Sequence, residues 1–169
     1  MNDGVKIAII GDICPVRRVE NNILTKDFTI FNDARIALSG NDLVIANLEC
    51  PLTQSNDRIK KTGPNLKADP CSVDLLNYLN VNVTALANNH ILDFGERGLM
   101  DTTNILNENH IKFLGAGGSI SEASKPLLIN IKGTRICLFN MCEKEYSIAG
   151  EVKAGANPFD LITTLKAVK

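Results

Sequence analysis

The chain has no tryptophan, two tyrosines, six phenylalanines and two histidines. With so few rings, any core must be built from Ile, Leu, Val and Ala. No apolar run approaches the roughly 18 residues needed to span a membrane. The first apolar run, residues 5–10 (VKIAII), is too short for a secretory core and leads straight into Gly11 and Asp12. These absences make the chain read as cytoplasmic. Five cysteines, an odd number with no C-x-x-C pair, indicate neither a zinc knuckle nor a disulfide framework, so reduced thiols are expected. A net charge of −1 and only two basic doublets (Arg17 with Arg18, Lys60 with Lys61) exclude the clustered cations of a nucleic-acid binder.

Two glycine patterns are also missing. A dinucleotide fold needs G-x-G-x-x-G after its first strand, and Gly11-Asp12-Ile13-Cys14-Pro15 does not supply it. The run at 115–118 (GAGG) lacks that spacing and has no phosphate-loop lysine, so it reads as a turn.

What is present alternates between two periods. Residues 5–10, 43–48 (LVIANL) and 83–87 (VTALA) are continuous apolar runs of the kind found in strands buried on both faces. Residues 31–38 and 96–109 keep helical spacing, the second with Leu99, Thr103 and Leu106 on one face. Asp69 followed by Pro70 reads as a helix start. Residues 112–114 suggest a fourth strand. Residues 127–131 and 135–140 flank Lys132-Gly133-Thr134 as a hairpin, and 159–168 form a last amphipathic stretch. Residues 49–66 show no periodicity, and loops of that length are often functional. The pattern predicts one domain over 1–169: a layered α/β fold with a mostly parallel sheet, flanking helices and an antiparallel end.

In a parallel sheet all strand C-termini share one edge, and ligands bind outside it where the strand order reverses. Strand one ends in Gly11 and Asp12, strand two in Asn47-Leu48-Glu49, and strand three leads to Asn88-Asn89-His90. Asp12, Glu49, Asn89 and His90 are therefore expected to meet in one polar site. Asp93 joins from the loop or orients the imidazole. Oxygen-rich ligands with imidazole suit Mn, Zn, Fe or Mg. A histidine titrating near neutrality suits a general acid. Cys14 and Cys50 flank the same acids, while Glu143 and Glu145 follow the last strand toward that edge. His110 reads as a solvated residue at a helix end.

The runs IANLECPLT (45–53), KTGPNL (61–66), LANNHILDFGERGL (86–99), LGAGGSISEASKP (114–126) and ICLFN (136–140) resemble the CapA, or PGA_cap, capsule-synthesis family. That family is similar to the calcineurin-like metallophosphatases. The resemblance implies part of a four-layer α/β/β/α fold with a metal-dependent phosphoesterase-like or hydrolase-like site. It assigns Asp12, Glu49 and Asn89 to a divalent metal and His90 with Asp93 to catalysis. Asn47, Asn88 and Lys61 go to substrate contact. It further implies a role in making capsular polymer, poly-γ-glutamate or polysaccharide. The partner would be an anionic polymer or phosphoester, and the setting is often membrane-anchored or extracellular. A scaffold carrying a degenerate half-site is the alternative. The family's later histidine motifs are absent and the chain stops in mid-helix, so an N-terminal portion is expected. Its uncovered sheet face would favour a homo-oligomer.

Overall fold

A computed structural model describes residues 4–167. Four strands, β1 (Ile7–Ile13), β2 (Leu43–Leu48), β3 (Val83–Ala85) and β4 (Lys112–Leu114), pair in parallel in the order β1-β2-β3-β4. Between them run α1 (Glu20–Thr25), α2 (Asn32–Leu38), α3 (Val73–Tyr78) and α4 (Gly95–Glu108). β5 (Ala116–Gly117), α5 (Ile120–Ala123), the antiparallel hairpin β6 (Leu127–Ile131) and β7 (Thr134–Leu138), β8 (Gly155–Ala156) and α6 (Leu161–Ala167) complete the chain. Among the described residues no helix is long and apolar enough to cross a membrane.

The sheet has two unlike faces. Val44, Ala46 and Leu48 point to the helical side and share a core with Ile23, Leu38, Leu76, Leu99 and Leu106. Leu43, Ile45, Val83 and Leu114 point the other way and meet Leu127, Ile129, Ile131 and Leu138 of the hairpin. The alternation follows from the period of two along a strand. Burial of such aliphatic side chains stabilises by about 1.5–3 kcal/mol each, which compensates for the scarcity of aromatic rings.

β1 departs from the sequence reading. It is not buried on both faces, because Ile7 is 40% and Ile9 is 78% exposed. It is the edge strand, and the two-stranded hairpin packs on residues of β2, β3 and β4 without covering these two. The site edge also lacks a reversal of strand order, because β1 to β4 follow one another in sequence. A common edge, not a switch point, gathers the strand ends. The run at 115–118, read as a turn, instead holds β5, which pairs with β8. The helix start at Asp69 matches: that residue caps the 3-10 turn at 70–72 by accepting from Cys71 N, with Pro70 at its start. His110 is exposed, in a left-handed turn after α4. Val168 of the expected last helix lies outside the described residues.

The loop after β2 has no regular structure but is closed and plugged. Its neck is an isolated bridge between Leu52 and Ala68, with Thr53 N donating to Ala68 O at 3.1 Å and Ala68 N to Pro51 O at 2.9 Å. Its body is pinned to Asp93, which is fully buried in the turn before α4. Asp93 O accepts from Ile59 N at 3.1 Å and Asn65 Nδ2 at 3.1 Å; Asp93 Oδ2 accepts from Leu66 N at 2.6 Å. Lys61 closes the plug with a buried ion pair to Asp93 Oδ1. Removing one partner of a buried pair strands the other charge and costs about 3–5 kcal/mol. Asp93→Asn is therefore expected to lower the unfolding free energy by that order, read as a lower urea midpoint, and to expose residues 54–66 to limited proteolysis. An unchanged midpoint and cleavage pattern would refute the anchoring role.

Candidate functional site

The first acid is brought into place by a bulge. Along β1 and β2 the register runs Ile9 to Ile45 and Ile10 to Ala46, then jumps so that Asp12 lies opposite Asn47. Gly11 is the extra residue. A one-residue slip exchanges the faces of a strand, so the bulge sets Asp12, not Gly11, beside Asn47. Glu49 follows directly from β2, where its N–H donates to Ile13 O at 3.0 Å and extends the ladder.

A chain of amides then links the strand ends. Asn47 Nδ2 donates to Asp12 Oδ1 at 2.8 Å and also to Glu49 Oε2. Asn47 Oδ1 accepts from Asn88 Nδ2 at 3.2 Å, and Asn88 Nδ2 also donates to Leu48 O at 2.9 Å. Asn88 Oδ1 accepts from the His90 backbone N–H at 3.1 Å. Successive bonds of this kind polarise one another. Burial is the main cause raising the Glu49 carboxyl above the usual range. The Asn47 bond opposes it and the nearby Asp12 charge adds to it.

The imidazole has its own support. His90 Nδ1 lies 2.6 Å from Asp93 Oδ2 and 3.2 Å from Lys61 Nζ, and the ring side chain is 14% exposed. Lys61 Nζ also approaches Asn89 O at 3.5 Å. The Lys61 side chain is 2% exposed, which places it behind the ring with the other supports. Asn89 O accepts from Ser147 Oγ at 2.8 Å. Among the described residues, the Asn89 side-chain amide is not a member of the hydrogen-bonded chain joining Asp12, Asn47, Glu49, Asn88 and His90.

Residues that local sequence reasoning did not single out complete the frame. Asn140 Oδ1 accepts from Ala87 N at 2.6 Å, just ahead of Asn88, and Asn140 O accepts from Asn157 Nδ2 at 3.0 Å. A Cβ on Gly115, whose φ is +91°, would lie 2.1 Å from Asn140 Oδ1, so that close approach requires glycine. The available signal was an asparagine ending the apolar run ICLFN, comparable to Asn47 near the end of β2 and Asn88 beyond β3. Ser147 carried no local signal. Glu143 and Glu145 are both exposed. Glu145 and Glu49 are both close enough to act on the Cys142 thiol, which burial first and these charges second push up to about 11. The Cys14 thiol hydrogen-bonds that of Cys50, which lowers the first and, with burial, raises the second.

Hard oxygen donors of this kind match a divalent cation in type. The match in number is partial: among the described residues no three of His, Cys, Asp and Glu gather closely enough to hold a metal ion. Two carboxylates converge on the Asn47 amide, which donates to both. The imidazole, with Nδ1 turned to a carboxylate, keeps Nε2 as the nitrogen open to proton transfer.

Comparison with known proteins agrees with this arrangement of strands. Residues 6–164 match the family model described as bacterial capsule synthesis protein PGA_cap. The chain is 31% identical over 128 residues to the PGA biosynthesis protein CapA of Bacillus subtilis, covering 75% of this chain and 34% of that protein. It is 26% identical over 165 residues to the capsule biosynthesis protein CapA of Bacillus anthracis, covering 95% of this chain and 39% of that protein. A probable polyglutamine synthesis accessory protein of Mycobacterium tuberculosis is 36% identical over 90 residues, 53% of this chain and 24% of its own length. The chain thus spans about a third to two-fifths of the two CapA proteins. Its mostly parallel sheet with flanking helices is consistent with the metallophosphatase-like fold of that family, and the chain belongs to the bacterial capsule synthesis PGA_cap family.

Proposed function

We propose that this chain carries a metal-dependent, phosphoesterase-like or hydrolase-like site used in making a capsular polymer, poly-γ-glutamate or polysaccharide. The observation that carries the reading is the convergence, on one sheet edge, of the Asp12 and Glu49 carboxylates with an imidazole backed by a carboxylate. In this reading Asp12, Glu49 and Asn89 supply oxygen ligands to Mn, Zn, Fe or Mg. His90, oriented by Asp93, moves a proton to or from the reacting oxygen. Asn47 and Asn88 hold the edge in shape for an anionic phosphoester or polymer. The names of the relatives, PGA and capsule biosynthesis proteins, support the polymer class. The bound cation would polarise a phosphoryl or acyl oxygen.

A second reading, a binding or scaffold protein with a degenerate half-site, is favoured by the absence of a three-ligand cluster among the described residues. Two measurements separate the readings. Calorimetric titration with Mn or Zn is expected to show binding in the wild type that weakens at least tenfold in Glu49→Ala. Equal binding in wild type, Glu49→Ala and His90→Ala would remove the metal assignment. With added metal, slow turnover of an aryl phosphate is expected, abolished by Asp12→Asn. No turnover alongside intact metal binding would favour the scaffold.

The uncovered Ile7 and Ile9 support self-association of the chain through the outer face of β1. Light scattering should show a mass that rises with concentration in the wild type and falls back in Ile9→Lys. A wild type that stays monomeric at high concentration would reject this contact.

A further inference from the structure

Lys61 lies in the loop at 53–67, and its ammonium is enclosed by three groups. It pairs with Asp93 Oδ1, stands 3.2 Å from His90 Nδ1, and approaches Asn89 O at 3.5 Å. The two neighbours of Nδ1 make opposite demands. A carboxylate oxygen only accepts, so Asp93 requires a proton on Nδ1. An ammonium only donates, so a hydrogen bond from Lys61 would require a bare Nδ1. The distances decide between them. Asp93 Oδ2 stands at 2.6 Å and Lys61 Nζ at 3.2 Å, and the ammonium is already engaged by Asp93 Oδ1. Both bonds would be charge-assisted, so the shorter contact and the prior engagement of the ammonium decide. The ring proton therefore belongs on Nδ1.

Holding that arrangement requires Asp93 to remain a pure acceptor while fully buried. Oδ2 has two donors, the Leu66 N–H and the ring. Oδ1 has no aligned hydrogen bond and depends on the Lys61 ammonium alone. Without that ammonium a buried carboxylate oxygen is left unpaired. The carboxylate then turns toward another donor, and the turn releases the imidazole.

We propose that Lys61 is a positioning residue: by pairing with Asp93 it fixes His90 as the Nδ1–H tautomer, leaving Nε2 as the ring nitrogen that meets substrate. The functional meaning rests on the reading of His90 as the proton-transfer group, but the tautomer is measurable without turnover or metal. A failed hydrolase assay and a failed tautomer assignment are therefore separate results.

The chain has two histidines, so two-bond proton–nitrogen correlation spectra of the 15N-labelled protein contain two imidazoles, and His110→Gln identifies the second. In the wild type, His90 is expected to show a protonated Nδ1 and a bare Nε2, the reverse of the tautomer a free histidine prefers. Lys61→Met is expected to lose that pattern, its two nitrogens shifting toward the average of the tautomers, and Lys61→Arg to restore it. A folded Lys61→Met that retains the wild-type pattern would overturn the proposal. If Lys61→Met does not fold, the wild-type spectrum still decides, because a proton on Nε2 there also overturns it.

Discussion

The buried carboxylate of Asp93 is the constraint on which the site and its covering loop both depend. It lies in the turn between β3 and α4, fully enclosed, and takes Lys61 on one oxygen and the Leu66 N–H with the His90 ring on the other. Its backbone carbonyl accepts from Ile59 and Asn65. A charge in such a place is tolerated only when it is paired and hydrogen-bonded. The loop must therefore fold over the turn, and the turn must present the carboxylate, for either to be stable. The imidazole takes its orientation from the same event, so local order and candidate chemistry share one electrostatic requirement.

A second set of bonds ties this centre to the two acids. The bulge at Gly11 sets Asp12 against Asn47, Asn47 reaches Glu49 and Asn88, and Asn88 reaches the backbone of His90. Three strands thus act through amide side chains, which are neutral and both donate and accept. Each amide has partners beyond its own strand, so the strand ends are held to one another. Asn140 braces the backbone just before Asn88 from the far side, through an approach that only Gly115 permits.

Much of this was legible in the sequence where the signal is local. The runs LVIANL and VTALA are interior strands because neighbours cover both faces, and the long helix ahead of His110 shows its spacing plainly. β1 carries an equally apolar run, yet Ile9 is exposed, because composition does not reveal which strand lies at an edge. Parallel strands sharing one edge predict Asp12, Glu49, Asn89 and His90 together; among the described residues the hydrogen-bonded chain runs instead through Asn47 and Asn88, with the Asn89 amide outside it. The bulge is not legible, since a single glycine before an acid has many uses. The plug of Lys61, Asn65 and Leu66 on Asp93 spans about thirty positions, and Ser147 reaches Asn89 across 58. Such pairings arise from tertiary packing, and no periodicity announces them. The short pairing of β5 with β8 is hidden for the same reason.

The electrostatics of the edge also restrict what can approach it. Asp12 is exposed and Glu49 half-buried, and the group shared between them is a neutral amide. An amide donor offsets two like charges far less than a cation does, which is why the charge on Asp12 contributes to raising the Glu49 carboxyl. Lys61 gives no relief, since its ammonium is committed to Asp93 behind the ring. An anionic phosphoester or polymer arriving at this edge therefore meets two carboxylates, with Arg17 the cation that acts on Cys14 beside them. Repulsion between unit charges at about 4 Å is about 4 kcal/mol near a protein surface, and positive charge arriving with the ligand offsets it. The proposed divalent cation and the proposed anionic substrate are for this reason one hypothesis: without the cation, these acids argue against the substrate.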